Sequence, residues 1–288
     1  MRRYLSLVKF AHTVFALPFA MTGFALGIKE SVPLGWGWLL LQVLVCMVSA
    51  RNAAMGFNRY LDRDIDARNP RTAGREIPAG ILSASNVLGF VILNCVLFVA
   101  VAFSINPVCG LFSPAVVLVL LGYSYMKRVS ALCHFVLGLA LGMAPVGAYV
   151  AVTGSFAPAP FVLMAIIVLW SGSFDILYSL SDEAFDKQQG LHSIPALMGR
   201  KKAMILSGVL HALILPLLAL FYGVVFAGTS AGLNGWYITG AALFAGLLIY
   251  QHCIITPGNL KRLNAAFFTV NGIASIVFAV FTIIALFR

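Results

Sequence analysis

The feature that most constrains this chain is a series of long apolar stretches without a charge. They run roughly over 10–28, 33–50, 82–105, 107–126, 131–153, 160–174, 203–227, 234–256 and 264–287. A helix rising 1.5 Å per residue needs about 20 apolar residues to cross a hydrocarbon layer about 30 Å thick. Most stretches meet that length alone. The second reaches it by continuing in helical register toward Asp66, and the sixth toward Asp186. The chain is 61% hydrophobic and 10% charged, against about 45–50% and about 25% in soluble domains. Lipid is therefore its solvent. A closed barrel is disfavoured, because strands would alternate apolar and polar residues. The expectation is an all-α, polytopic membrane bundle of about nine helices, forming a single domain over 1–288. Pro18, Pro114, Pro145 and Pro216 fall inside spans and predict kinks, which membrane bundles tolerate.

The net charge of +10 comes from short loops between spans, so nucleic acid is not the partner it points to. Arg2, Arg3 and Lys9 precede the first span. Arg51, Arg59, Arg63, Arg68, Arg71 and Arg75 lie at the end of the second and in the loop beyond. Lys127 and Arg128 follow the fourth, Lys187, Arg200, Lys201 and Lys202 the sixth, and Lys261 and Arg262 the eighth. These alternate loops hold 17 of the 19 basic residues; Lys29 and Arg288 are the others. The positive-inside rule places the N-terminus and these loops in the cytoplasm, in a multi-pass protein of the cell's inner membrane. Met1 to Lys9 carries no cleavage pattern after the first apolar run, which reads as a retained helix. Cys46, Cys95, Cys109, Cys133 and Cys253 have no metal spacing and read as inert thiols. His12, His134, His192, His211 and His252 likewise show no ligand spacing and read as hydrogen-bonded bundle or loop residues.

Seven of the nine acidic residues sit in two places. The first reads Asn58-Arg-Tyr-Leu-Asp62-Arg-Asp-Ile-Asp66, and Asn58, Asp62 and Asp66 span about an 80° arc of one helix face. Arg51 lies two turns earlier on that face. The second reads Asp175-Ile-Leu-Tyr178-Ser-Leu-Ser-Asp182-Glu-Ala-Phe-Asp186, and Asp175, Tyr178, Asp182 and Asp186 again share a face. Asp64 and Glu183 point elsewhere. Asp62 to Asp182 and Asp66 to Asp186 are both offsets of 120 residues, which hints at duplication of a four-helix unit. Both clusters fall at cytoplasmic helix ends and can face a shared cavity.

Carboxylates four residues apart suit a hard cation, and Mg²⁺ completes its shell with water and substrate phosphate. Without metal, four carboxylates would repel one another. Arg71, Arg75, Lys127, Arg128 and Lys187 are placed to clamp a diphosphate, Arg by a bidentate fork and Lys by a point charge.

Asn58-x-x-x-Asp62-x-x-x-Asp66 and Asp182-x-x-x-Asp186 resemble the two motifs of the UbiA superfamily of intramembrane prenyltransferases. Tyr123-Ser-Tyr-Met-Lys127-Arg128 is similar to the end of that family's fourth helix, and Lys9 to Phe19 to the opening of its 4-hydroxybenzoate polyprenyltransferase-like branch. The resemblance covers essentially the whole chain. It implies a helical bundle around a central cavity capped on the cytoplasmic side, where a polyprenyl diphosphate binds through Mg²⁺. Carried over by position, Asn58, Asp62, Asp66, Asp182 and Asp186 hold metal and diphosphate, and Arg71 and Lys127 contact diphosphate. Arg51 and Asp175, deeper in their helices, face the aromatic acceptor. The loop Asn69-Pro-Arg-Thr-Ala-Gly-Arg-Glu-Ile-Pro78 departs from the shorter Asn-Arg-Pro form of many members, which leaves Arg71 and Arg75 as alternative loop contacts.

The expected chemistry is transfer of a polyprenyl group to a ring carbon of an aromatic acid for ubiquinone or menaquinone synthesis. 4-Hydroxybenzoate is the favoured acceptor and a dihydroxynaphthoate the alternative, with Tyr178 shielding the allylic cation. Asp175 either fixes the acceptor or takes a proton. Intramembrane aspartates also mark ion paths, so an ion-coupled transporter is the rival class. Transporter sites lie near the midplane at broken helices, whereas these aspartates sit toward one face among cations. Prenyl length and oligomeric state are not encoded in these spacings.

Overall fold

The apolar stretches become helices, and several of them begin where the sequence supplies a cap or a proline. A computed structural model describes Tyr4, Leu7 and residues 16–227, 233–256 and 258–288. Arg2, Arg3, Lys9 and His12 lie outside the described residues, as do the other residues of 8–15. The first span is thus described as α1, Leu17–Glu30. Then follow α2 (Trp36–Leu61), α3 (Arg63–Arg68), α4 (Ala84–Ile105), α5 (Pro107–Val129), α6 (Cys133–Thr153) and α7 (Pro158–Ser179). A 3₁₀ turn, Leu180–Asp182, leads into α8 (Glu183–Gln188). The chain ends with α9 (Ile194–Ala212), α10 (Ile214–Phe226), α11 (Gly235–Ile254), a π-helical turn Ala265–Val270 and α12 (Asn271–Phe287). No strand occurs among the described residues. Eight helical stretches beyond α1 are long and apolar enough to cross a membrane, two of them joining consecutive helices. α1, with 14 described residues, is shorter than these eight.

Ser83 and Asn106 cap α4 and α5 by accepting backbone N–H bonds from Asn86 and Cys109. Gly154, at φ +66°, ends α6 in the left-handed region. The prolines divide by position. Pro114 and Pro145 stay inside α5 and α6. Pro18 and Pro216 instead fall in the first turns of α1 and α10. A proline ring clashes with the carbonyl four residues back, which for Pro216 is Ala212, the last residue of α9. The expected single span over 203–227 is therefore two helices meeting at Leu213.

α6 is the central helix, packed against α7 on one side and α1 on another. The contact with α7 is close because Gly138 and Gly142 present no side chain. A Cβ on Gly138 would lie 2.7 Å from the Val168 carbonyl oxygen, and one on Gly142 2.8 Å from Met164. Close backbone approach through small residues spaced by four is a characteristic membrane-helix contact. The α6–α7 pair, α1 and α12 enclose an aromatic core of Phe19, Trp170, Phe174, Phe244 and Phe278. Trp170 stacks edge-on to Phe174 at 4.8 Å and donates its indole N–H to Asn271 Oδ1 at 3.1 Å. α4 and α5 turn Leu93, Leu97, Leu111 and Leu118 outward, as a lipid-facing surface requires.

Candidate active site

The two acidic motifs fold alike. α2 stops at Leu61, Asp62 takes φ −87°, ψ 6°, and the six-residue α3 follows. α7 stops at Ser179, the 3₁₀ turn ends at Asp182 with φ −101°, ψ 0°, and the six-residue α8 follows. Each motif was expected to continue its helix unbroken; each is interrupted at its first aspartate, in the sparsely populated bridge region. The phase still holds in the first motif, because the Asp62 N–H bonds Asn58 O at 2.9 Å and the Asp66 N–H bonds Asp62 O at 2.7 Å. The 120-residue offset thus extends from sequence to backbone shape.

Four aspartates and four cations interleave here. Arg128 Nη2 meets Asp62 Oδ1 at 2.9 Å, and Arg75 Nη1 reaches both oxygens of Asp66 at 2.6 and 2.8 Å. Arg71 grips Asp182 with its fork, Nε to Oδ1 at 2.9 Å and Nη2 to Oδ2 at 2.5 Å. Lys127 Nζ stands 2.7 Å from Asp186 Oδ1. Asp66, Asp182 and Asp186 are buried, Asp186 completely. Ionised carboxylates persist at such depth only when paired. Burial pushes the Asp62 carboxyl above its ordinary value, with Arg128 pulling the other way. Burial lowers the Arg71 guanidinium, but the bond to Asp182 and the nearby charges of Asp182, Tyr178 and Asp66 together outweigh it and raise it.

The loop that carries Arg71 and Arg75 is ordered by its own backbone. Asn69 Oδ1 accepts the Arg71 N–H at 3.0 Å, and Asn69 O accepts those of Thr72 and Ala73. Asn69 Nδ2 also donates to Asp182 Oδ1 at 3.4 Å, and the Thr72 hydroxyl to Asp66 O at 3.1 Å. Arg71 thus crosses to the second motif, and Arg75 returns to the first. Asn58 donates to Asp62 Oδ2 at 3.1 Å, beside the carboxylate it was grouped with. Tyr178 lies against Arg71, accepting from Nη1 at 3.1 Å, and stacks on Phe267 with centroids 4.1 Å apart.

Lys187 is turned away from this cluster. It pairs with Glu183 at 2.7 Å, four residues earlier on α8, and Arg200 binds the same carboxylate at 2.8 Å. Asp64 is exposed, 3.9 Å from Arg63.

Below the cluster lies an apolar cavity of about 570 Å³ between α2, α4, α5, α6 and α7. Arg51 and Tyr123 supply its polar end, and among the described residues Arg51 Nε is buried without a hydrogen-bond partner. Met55 of the lining stands one turn before Asn58, and Tyr123 one turn before Lys127, so the cavity ends close under the aspartates. From Tyr123 to Phe112 it follows α5 for roughly 16 Å. Phe112, Phe156 and Phe161, all about half exposed, border its far end.

Asp175 lies apart from the cation pairs. Its Oδ2 is 2.7 Å from His134 Nδ1, while His134 Nε2 accepts the Ile194 N–H at 3.3 Å. Ser193, the cap of α9, donates to Asp186 Oδ2 at 2.8 Å. His134, Asn69 and Ser193 were not singled out from sequence. Only Ser193 carries a local signal, a serine directly before Ile-Pro at a helix start.

The donor set fits Mg²⁺. It consists of carboxylate oxygens and the Asn58 amide oxygen, and Mg²⁺ takes only one or two carboxylates, leaving its other positions to water and phosphate. Among the described residues no three acidic, His or Cys side chains converge on one point; the cations stand between the carboxylates instead.

Comparison with known proteins agrees with this geometry. The chain is 30% identical over 242 residues to a 4-hydroxybenzoate octaprenyltransferase of Aliivibrio fischeri, covering 84% of this chain and 82% of that protein. The apo structure of a UbiA homolog from Aeropyrum pernix superposes with a TM-score of 0.82 at 31% identity, covering 95% of this chain and 97% of the other. A UbiA homolog from Archaeoglobus fulgidus, bound to DMAPP and Mg²⁺, shares the fold at a TM-score of 0.70 and 20% identity, covering 99% of each chain. The profile of the UbiA prenyltransferase family matches residues 16–273, and the chain belongs to that family of prenyl-transferring membrane enzymes.

Proposed function

We propose that this protein transfers a polyprenyl group from polyprenyl diphosphate to a ring carbon of an aromatic acid, 4-hydroxybenzoate first, in quinone biosynthesis. The observation that carries the reading is the cluster of four paired aspartates and cations set over an apolar cavity, with the half-buried Arg51 at its inner end. The name of the Aliivibrio fischeri relative supports the acceptor, and the Archaeoglobus fulgidus homolog supports the pairing of an allylic diphosphate with Mg²⁺.

In this reading Asn58, Asp62, Asp66, Asp182 and Asp186 hold the metal, and Arg71, Arg75, Lys127 and Arg128 exchange their carboxylate partners for diphosphate oxygens. Bound Mg²⁺ supplies charge neutralisation that favours departure of diphosphate. The cation clamp stabilises the same developing charge, the largest catalytic contribution in such sites. The isoprenoid tail occupies the apolar cavity, whose far end between Phe112, Phe156 and Phe161 gives onto lipid. Arg51 binds the acceptor's carboxylate, and Tyr178, steadied by Phe267, shields the allylic cation. The whole chain acts as one domain, with this face on the cytoplasmic side of the inner membrane, where 17 of 19 basic residues are expected.

The test is turnover of purified protein in lipid nanodiscs with a polyprenyl diphosphate and equal amounts of 4-hydroxybenzoate and a dihydroxynaphthoate. Products are identified by mass, with and without a chelator. A prenylated 4-hydroxybenzoate that disappears with chelator is the expected result. A prenylated naphthoate alone would move the acceptor, undiminished activity in chelator would remove the metal, and no ring-prenylated product would end the reading.

A further inference from the structure

The His134–Asp175 pair, one partner buried and the other half-buried, is a device that the diphosphate chemistry does not use. His134 opens α6 and is 2% exposed. Its two ring nitrogens have different partners. The Ile194 backbone N–H donates to Nε2, so that nitrogen is the acceptor and bears no hydrogen. The proton of the neutral ring is then on Nδ1, which donates to Asp175 Oδ2 at 2.7 Å. A second proton on His134 would cost the Ile194 bond. Asp175 is oriented through Oδ2, with its side chain 24% exposed and Oδ1 outside the histidine bond.

The pair is also tied to the diphosphate side. Ile194 follows Ser193, whose hydroxyl holds Asp186, and the His192 N–H bonds the Lys127 carbonyl at 2.8 Å. One short segment, His192 to Ile194, thus fixes the ring that orients Asp175 and the carboxylate that faces Lys127.

The geometry points to His134 as a positioning residue that keeps Asp175 oriented as the base for the acceptor ring, an inference that rests on the proposed prenyl transfer. The allylic C–O bond breaks with its electron pair leaving on diphosphate, and a C–C bond forms to the ring carbon. The C–H bond at that carbon then breaks, its electrons restore aromaticity, and the proton passes to Asp175 Oδ1. No oxidant or reductant is needed.

The experiment compares wild type with His134→Ala, His134→Asn and Asp175→Asn, using 4-hydroxybenzoate with and without deuterium at the ring position that is substituted. His134→Asn places an amide N–H near the Nδ1 position. Expected is a loss in kcat of about 10²-fold for His134→Ala and more for Asp175→Asn, within the range of positioned general bases. KM for the diphosphate should stay within about twofold of wild type. Both variants should show a larger ring-deuterium isotope effect than wild type, because proton loss becomes limiting. His134→Asn should recover most of the rate and the wild-type isotope effect. Wild-type turnover with an unchanged isotope effect in all variants overturns this inference alone, as does a defect confined to KM for diphosphate. If His134→Ala does not fold, His134→Asn and Asp175→Asn decide by the same isotope comparison. Absence of any ring-prenylated product in wild type removes the proposed function and this inference with it.

Discussion

The two halves of the molecule repeat a shape but not a charge. α2–α3 and α7–α8 both break at an aspartate near φ −90°, ψ 0°, both continue as six-residue helices, and both carry a second aspartate four residues on. The cations that pair with all four aspartates, Arg71, Arg75, Lys127 and Arg128, come from the first half alone. The loop after α3 is long and carries two arginines. After α8 only Gln189 to Ser193 precede α9, and Ser193 is what that segment gives to Asp186. The carboxylates thus recur in both halves with the same backbone shape, whereas the cations of the clamp come from one half. The second half's aspartates are charge-balanced only by reaching across the interface.

If the halves are equivalent in metal binding, Asp62→Ala and Asp182→Ala should each lower kcat by about 10²–10³-fold, as loss of one preorganised charge-stabilising group does. Steady-state assays that show one variant nearly active would break the equivalence. The asymmetry in cations predicts a stability effect next. Lys127→Ala leaves the completely buried Asp186 unpaired, at a cost of about 3–5 kcal/mol. Thermal unfolding in nanodiscs should fall accordingly, and Lys127→Met combined with Asp186→Leu should restore the Tm without restoring activity. The two loop arginines should then separate. Arg71 uses two nitrogens in a fork that lysine cannot copy, while Arg75 reaches both Asp66 oxygens from Nη1 alone. Arg71→Lys should raise KM for diphosphate about tenfold, a loss of about 1.4 kcal/mol, and Arg75→Lys by less. The smallest effect concerns pH. Burial raises the Asp62 carboxyl, and only its ionised form holds a cation. Mg²⁺ affinity should therefore be full above that raised value and decline as pH falls through it. In Asp62→Asn, titration calorimetry should find this limb of the pH dependence missing.

Much of this was legible in the sequence, for reasons that also set its limits. Apolar length is a local property, so the spans could be read directly; the division at Leu213 followed from Pro216, whose effect falls on a residue four positions back. The aspartate motifs were legible because i, i+4 spacing survives even an interrupted helix, as the Asp66 to Asp62 backbone bond shows. Which cation meets which aspartate was not, since Arg71 and Asp182 are 111 residues apart and only the folded loop joins them. Lys187 looked equivalent to Lys127 by proximity to Asp186, yet the local helix gives it Glu183 first. His134 had no spacing signal at all, because its partners come from α7 and from the start of α9.

The glycine pair on α6 has a further bearing on that histidine. α6 and α7 run antiparallel, with Gly142 over Met164, Gly138 over Val168 and the His134 backbone beside Gly172, one turn from Asp175. The 2.7 Å bond between His134 and Asp175 therefore exists only at the interhelical distance that Gly138 permits. A single methyl group there would act as a spacer, levering the helices apart. The damage would register at the carboxylate, so a packing residue one turn away governs the tolerance to which the His134–Asp175 pair is built.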